Sequence, residues 1–303
     1  MKAVILVGGE GTRLRPLTCN IPKPMVPILN KPFLEKMILH LQSHGITQII
    51  LALSYLPDPI QDYFGNGEDF NLHIQYAIEK SPLGTAGAVK NLHTNLEDTF
   101  FVFNGDILME LDLTRMLAFH LEKKAMATIA LTPVNNPEAY GVLDMDESGK
   151  VRRFIEKPSP GLAPSNLVNA GCYILEPDIL EFAPENVHCM FEDYLFPLLL
   201  RENVPIFGFQ SSGYWLDIGT PTNYLKIHKD LLKNGLTKEG DVFIHPSAEV
   251  TGAVLLSKGC QIGANTLIRG PVVMGNGCSV GQQTVIDSSI LWSKVKVGDG
   301  STI

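Results

Sequence analysis

Residues 4–24, VILVGGEGTRLRPLTCNIPKP, place a glycine-rich turn beside Arg13, Arg15 and Lys23. Glycines such as Gly8, Gly9 and Gly11 let the backbone take positive φ and turn its amide N–H groups toward one point. The resulting concavity suits phosphate oxygens. A turn that used glycine for geometry alone would have no need of cations, whereas phosphate binding needs both. The better-known phosphate strings do not fit. No G-x-x-x-x-G-K-[ST] follows Gly8, and Gly9-Glu10-Gly11 runs into Thr12-Arg13-Leu14 where a dinucleotide fingerprint would need G-x-G-x-x-G.

Carboxylates form the second group of candidates. Asp106 lies in FVFNGDIL, after an apolar run and beside Gly105, a place suited to holding Mg²⁺. Asp217 lies in YWLDIGTP, after aromatics and before a Gly-Thr-Pro helix start. A nucleotide-bound Mg²⁺ commonly takes one or two protein carboxylates plus phosphate oxygens. The residues alone leave the alternative open that each aspartate caps a helix or a turn. Glu156 and Lys157, in FIEKP, read equally as ligand groups or as an exposed charge pair at a strand end.

These groups need a frame. Up to about Lys233 strand-like and helix-like segments alternate. Residues 49–53 and 100–103 are short apolar runs of the kind found in buried parallel strands. Between them Phe33, Met37, His40, Leu41 and His44 recur at helical spacing, ending at Gly45. The pattern predicts a doubly wound α/β fold on a mixed parallel sheet, whose ligands bind at the carboxyl ends of strands. Residues 8–15 and Asn104-Gly105-Asp106 both follow such strands and can share one crevice. His40, His44 and the other scattered histidines lack metal-ligand spacing and read as surface or packed residues.

After about Gly240 the period changes. Ile244, Val250, Leu256, Ile262, Ile268, Met274, Val280, Ile286 and Trp292 recur at six-residue intervals, with Gly263, Gly275 and Gly281 next to apolar positions. The phase slips by one near Trp292, and Val297-Gly298 and Ile303 continue it. This is the mark of a left-handed parallel β-helix of hexapeptide repeats, each repeat forming one face of a triangular coil. An amphipathic helix would need a 3.6-residue period and could not use so many glycines. The expected division is 1–238 for the α/β domain and 239–303 for the repeats. The repeat reaches Ile303 without a polar cap, so either the chain is cut in mid-coil or another subunit covers the open end.

A chain of 303 residues with 45% apolar content can fill two cores. A net charge of −8 and the lack of any basic run argue against a nucleic-acid surface. Cys19, Cys172, Cys189, Cys260 and Cys278 show no CxxC spacing and read as reduced thiols. No apolar stretch reaches the ~20 residues of a membrane span, and no signal-peptide pattern opens the chain. The expectation is a cytoplasmic protein without nucleic-acid or membrane partners.

Residues Gly8, Gly9, Gly11, Thr12, Arg13, Leu14, Pro16, Leu17 and Thr18, then Pro22, Lys23 and Pro24, resemble the signature of the sugar-phosphate nucleotidyltransferases, the nucleotide-sugar pyrophosphorylases. Three further strings agree in order: SPLGTAG at 81–87, FIEKP at 154–158 and VNAG at 168–171, with Tyr140-Gly141-Val142 alongside. The resemblance implies that Leu6, Gly8, Gly9, Gly11, Thr12, Arg13, Gly84 and Thr85 bind the nucleotide. It implies that Gly141, Glu156, Lys157, Asn169 and Gly171 bind the sugar phosphate. It gives Asp106 and Asp217 the metal, and Arg13 and Lys23 the catalytic charge.

The reaction so implied is attack of a sugar 1-phosphate oxygen on the α-phosphorus of a nucleoside triphosphate, with Mg²⁺ as cofactor and pyrophosphate released. GGEGTRLRPLT, PLGTAG, NAGCYIL, WLDIGTP and the repeat domain together look most like mannose-1-phosphate guanylyltransferases, with GTP and mannose 1-phosphate as substrates. Glucose-1-phosphate thymidylyl- and uridylyltransferases share most of the strings, and relatives that make ADP-glucose are a further possibility. A non-catalytic regulatory subunit of the same fold could dispense with Arg13, Lys23, Asp106 or Asp217, yet all are present. Acyl transfer by the β-helix would call for a histidine base in the coils, where only His245 occurs. The repeats are therefore expected to be structural and to build a homo-oligomer.

Overall fold

A computed structural model describes residues 1–79 and 81–303. The chain forms two compact units. One comprises Met1–Thr12, Thr18–Pro24 and Lys36–Leu216, and the other Arg13–Leu17, Met25–Glu35 and Asp217–Ile303.

The first unit is built on a nine-stranded mixed sheet. Its central strand, Lys2–Val7, is flanked on both sides by parallel neighbours, Gln48–Leu53 and Phe100–Asn104. Ala3, Val4, Ile5 and Val7 are buried, as expected of a strand covered on both faces. His73–Ile78 extends the sheet in parallel beyond Gln48–Leu53. On the other side Leu167–Leu175 runs antiparallel to Phe100–Asn104 and to Ala127–Pro133. The antiparallel pair Gly141–Met145 and Val151–Glu156 completes that edge. The doubly wound mixed-parallel reading of the sequence is what the chain adopts. The helix expected from Phe33 runs Phe33–Ser43 and stops before the left-handed Gly45.

The sheet reverses its strand order at Lys2–Val7, which has neighbours from later in the chain on both sides. Loops leaving such a switch point diverge and open a crevice at the strands' carboxyl ends. Gly8 and Gly9 follow one of these strands, and Gly105 and Asp106 another.

In the second unit the hexapeptide region forms three ladders of short parallel strands, the arrangement of a left-handed parallel β-helix. Leu256, Ile262, Ile268, Met274, Val280 and Ile286 all point into the coil core and are buried. Cys260 and Cys278 stack among them. The phase slip falls slightly earlier than Trp292. Val254 pairs with Val272, but Val273 pairs with Ile290, so the coil shortens by one residue between Asp287 and Ile290. Leu291 consequently takes the buried position. Trp292 lies outside the core, where its Nε1 donates to the Tyr224 hydroxyl at 2.9 Å. An indole that keeps a polar partner is better placed at such a margin than in an apolar coil.

Candidate active site

A cleft of about 350 Å³ opens at the switch point. Leu6, Gly8, Gly9, Lys23, Gly84, Thr85 and Asp106 all line it, together with Ser54, Glu79 and Asn104. The glycine-rich loop and the Asn104-Gly105-Asp106 turn therefore share one crevice.

Lys23 sits in a single 3₁₀ turn, Lys23–Met25, its side chain only 8% exposed. Its Nζ lies 2.7 Å from Asp106 Oδ2, while the Asp106 side chain remains 40% exposed. A buried ammonium is expensive unless paired, and here its partner faces the cleft. Gly11 holds the loop in place from behind, where its carbonyl accepts the Thr18 hydroxyl at 2.7 Å. Thr12 and Arg13 open the short turn Thr12–Leu14.

Gly84 begins the helix Gly84–Lys90 at φ +74°, and a Cβ there would lie 2.6 Å from the Cys189 carbonyl oxygen. Only glycine meets both demands. The same carbonyl accepts from Ala86 and Gly87 N–H at 3.0 Å, and Cys189 N–H donates to Leu83. The small-residue loop is thus stitched to residues 187–191.

The sugar-side candidates gather along the neighbouring strands. Glu156 lies against Gly141, where an added Cβ would come 2.7 Å from its Oε2. Lys157 takes a left-handed φ of +44°, with Nζ 3.1 Å from Glu156 Oε1. Asn169 donates to the Tyr173 hydroxyl at 2.8 Å and accepts from Gly171 N–H at 2.9 Å. Gly171, at φ +74°, faces Asn104, whose side chain a Cβ would crowd at 2.9 Å. None of these five lines the cleft itself, but Asn104 connects Gly171 to its wall.

Arg13 and Asp217 belong to the second unit, where Arg13 Nη2 and Asp217 Oδ2 are 3.8 Å apart and the Arg13 side chain is 68% exposed. Asp217 Oδ1 accepts from Gly219 N–H at 2.6 Å. The helix that follows, Pro221–Leu231, is capped instead by Thr220, whose side chain accepts from Asn223 N–H. Asp106 precedes a strand, Ile107–Met109. Neither aspartate caps a helix, while Asp217 caps the turn to Gly219.

Asp106 and Asp217 offer hard carboxylate oxygens of the type Mg²⁺ prefers. Among the described residues no group of three or more His, Cys, Asp or Glu side chains gathers. A metal arriving on a nucleotide brings phosphate and water ligands with it and needs only one or two carboxylates. Asp106, on the cleft wall, is a carboxylate of that kind.

Two residues here, Glu79 on the cleft wall and Glu192 bonded to Thr85, carry no motif that sequence reading could have found. Glu79 lines the cleft with one carboxylate oxygen buried and lacking any partner among the described residues. Burial pushes its carboxyl pKa up, against the lowering effect of a hydrogen bond from Leu83 N–H. Asn104 Oδ1 is likewise buried without a partner among the described residues. Such acceptors normally carry a cost of about 1–3 kcal/mol each unless a ligand satisfies them. Glu192, from the π-helical turn Phe191–Leu195, accepts the Thr85 hydroxyl at 3.1 Å and the Tyr173 hydroxyl at 3.2 Å. Burial, chiefly, and the nearby Glu156 charge raise its pKa, which its hydrogen bonds oppose.

A family profile described as Nucleotidyl transferase matches residues 2–234. The mannose-1-phosphate guanylyltransferase of Mycobacterium tuberculosis is 37% identical over 87% of this chain and 77% of its own length. The UTP–glucose-1-phosphate uridylyltransferase of Synechocystis is also 37% identical, over 77% of this chain, which spans 63% of that relative. Among solved structures, HddC from Yersinia pseudotuberculosis complexed with GMP-PN is 35% identical with a TM-score of 0.65, covering 76% of this chain and 98% of HddC. With the profile spanning the whole sheet and relatives this similar over most of the sequence, the chain belongs to the nucleotidyl transferase family.

Proposed function

We propose that the protein transfers a guanylyl group from GTP to mannose 1-phosphate, giving GDP-mannose and pyrophosphate. A phosphate oxygen of the sugar 1-phosphate attacks the α-phosphorus. The bond from that phosphorus to the bridging oxygen breaks, and its electron pair leaves with pyrophosphate. The attacking phosphate is already anionic at neutral pH, so no general base is needed. Catalysis is then positioning and charge neutralisation. Lys23 neutralises charge at the α-phosphate, and the amides of 8–11 with Arg13 hold the departing pyrophosphate. Lys157 holds the attacking phosphate. Glu156 and Asn169 take the sugar hydroxyls, and Gly141 and Gly171 leave room for the ring. Mg²⁺, held by Asp106 and Asp217, would supply further charge neutralisation among the phosphates.

The observation that carries the choice of base is the Glu79 oxygen in the cleft that has no partner among the described residues. A carboxylate only accepts hydrogen bonds. Guanine presents two adjacent donors, N1–H and the N2 amino group. Uracil and thymine present one donor between two carbonyl acceptors, which a carboxylate repels. The relatives named as guanylyltransferases point the same way. Uridylyl transfer to glucose 1-phosphate is the second reading, supported by the Synechocystis relative.

The test is pyrophosphate release from each nucleoside triphosphate against each hexose 1-phosphate. GTP with mannose 1-phosphate is expected to give the highest kcat/KM. Glu79→Gln is expected to lower kcat/KM for GTP by about tenfold, because one acceptor becomes a donor, and to cost UTP less. Unchanged discrimination between GTP and UTP in that variant would remove Glu79 from base recognition.

The division into 1–238 and 239–303 is proposed as one of labour, with chemistry in the first part and assembly in the second. Light scattering of the full chain is expected to give a multiple of the 33.3 kDa protomer mass. A monomer would end the assembly role.

A further inference from the structure

Glu192 is used by none of the steps above, yet it closes a hydrogen-bond network whose direction is fixed at both ends. On the nucleoside side Phe191 N–H donates to the Thr85 hydroxyl oxygen at 2.9 Å. That hydroxyl donates in turn to Glu192 Oε2. On the sugar side Gly171 N–H donates to Asn169 Oδ1, which sets the orientation of the amide. Asn169 Nδ2 must then donate to the Tyr173 oxygen, and the Tyr173 hydroxyl to Glu192 Oε1. Backbone amides can only donate, so both arms run toward Glu192 and both require an acceptor there. A carboxylate is the side chain that accepts at both oxygens. Tyr173 is fully buried, so its hydroxyl has no water to turn to. The π-turn that presents Glu192 is a rare local geometry, frequent at functional sites.

We propose that Glu192 is a positioning residue shared by the two substrate subsites, one carboxylate fixing Thr85 toward the nucleoside and, through Tyr173, Asn169 toward the sugar. The proposal rests on the assignment of Thr85 and Asn169 made under the proposed function. Anchoring both arms on one group makes the two subsites form together. With the network intact, Asn169 retains one amide hydrogen and one carbonyl lone pair for a sugar hydroxyl.

Glu192→Gln keeps the shape and reverses the polarity at one oxygen, which puts a donor against a hydroxyl already committed to donating. In the full-length protein it is expected to raise KM for GTP and KM for mannose 1-phosphate together, each about tenfold, the loss of roughly one buried hydrogen bond. Tyr173→Phe cuts only the sugar arm. It is expected to raise KM for mannose 1-phosphate while leaving KM for GTP within twofold, a split that general loss of stability would not produce. The proposal is overturned if Glu192→Gln leaves either KM at its wild-type value, or if Tyr173→Phe raises both equally. Should the Gln variant not fold, the split shown by Tyr173→Phe decides.

Hydrogen–deuterium exchange in the ligand-free protein separates this inference from the functional reading, because it needs no substrate. Glu192→Gln is expected to speed exchange in both 84–90 and 167–171. Faster exchange in only one of these segments would show that the carboxylate does not join them, whatever the wild-type protein turns over.

Discussion

Replacing Lys23 with alanine is expected to lower turnover by roughly 10²- to 10³-fold, the usual loss on removing one preorganised charge from a reacting phosphate. The ammonium is buried at the foot of the cleft and held 2.7 Å from Asp106 Oδ2. That fixed position is what gives it catalytic value, since a preorganised charge needs no reorganisation as charge shifts in the transition state. Breaking a buried ion pair normally destabilises, because it strands a charge. Here the stranded partner would be Asp106, whose side chain is 40% exposed and can be hydrated. The fold should therefore survive, with an unchanged far-ultraviolet circular dichroism spectrum. Lys23→Arg should rescue poorly, because a planar fork does not fit a pocket shaped for a compact ammonium. Near-normal turnover of the alanine variant would show that Lys23 only balances Asp106.

The cleft was legible in the sequence to the extent that its function depends on backbone. The apolar run before Gly8 and the glycines themselves leave a local signal. Strand, tight turn and φ-positive residue are all encoded within a few positions. The hexapeptide period was legible for the same reason, since every coil repeats one local rule. The one-residue slip was misplaced because Leu291 and Trp292 are both apolar. Only the register of Val273 with Ile290 shows which of them faces the core. Glu79 and Glu192 were invisible for a different reason. Each matters through a partner distant in sequence or through the lack of one, as with Glu192, Thr85 and Tyr173. An isolated glutamate in FEDYLFP resembles any surface acid until tertiary structure buries it. Asp106 fell between these cases. Its position after a strand was visible, but its pairing with Lys23 joins segments remote from each other in the chain.

Asp106→Asn is expected to raise the Mg²⁺ concentration needed for half-maximal activity by about tenfold or more, and Asp217→Asn to act in the same direction. The substitution keeps the size of the side chain and one acceptor oxygen but removes the negative charge that a hard divalent cation requires. Removing the carboxylate charge beside the Lys23 side chain also makes the local field less negative and so less attractive to the cation. Two effects are thereby superposed for Asp106. Asp217 lies 3.8 Å from the exposed Arg13, a cation whose field water largely screens. Chelator should abolish activity, and added Mg²⁺ should restore it. Binding of Mn²⁺ with GTP, followed by paramagnetic relaxation of water, gives a readout that does not depend on turnover. Weaker Mn²⁺ binding in both variants is the expected result. If one variant binds Mn²⁺ as tightly as wild type, that aspartate holds its neighbouring cation in place and leaves the metal to the other.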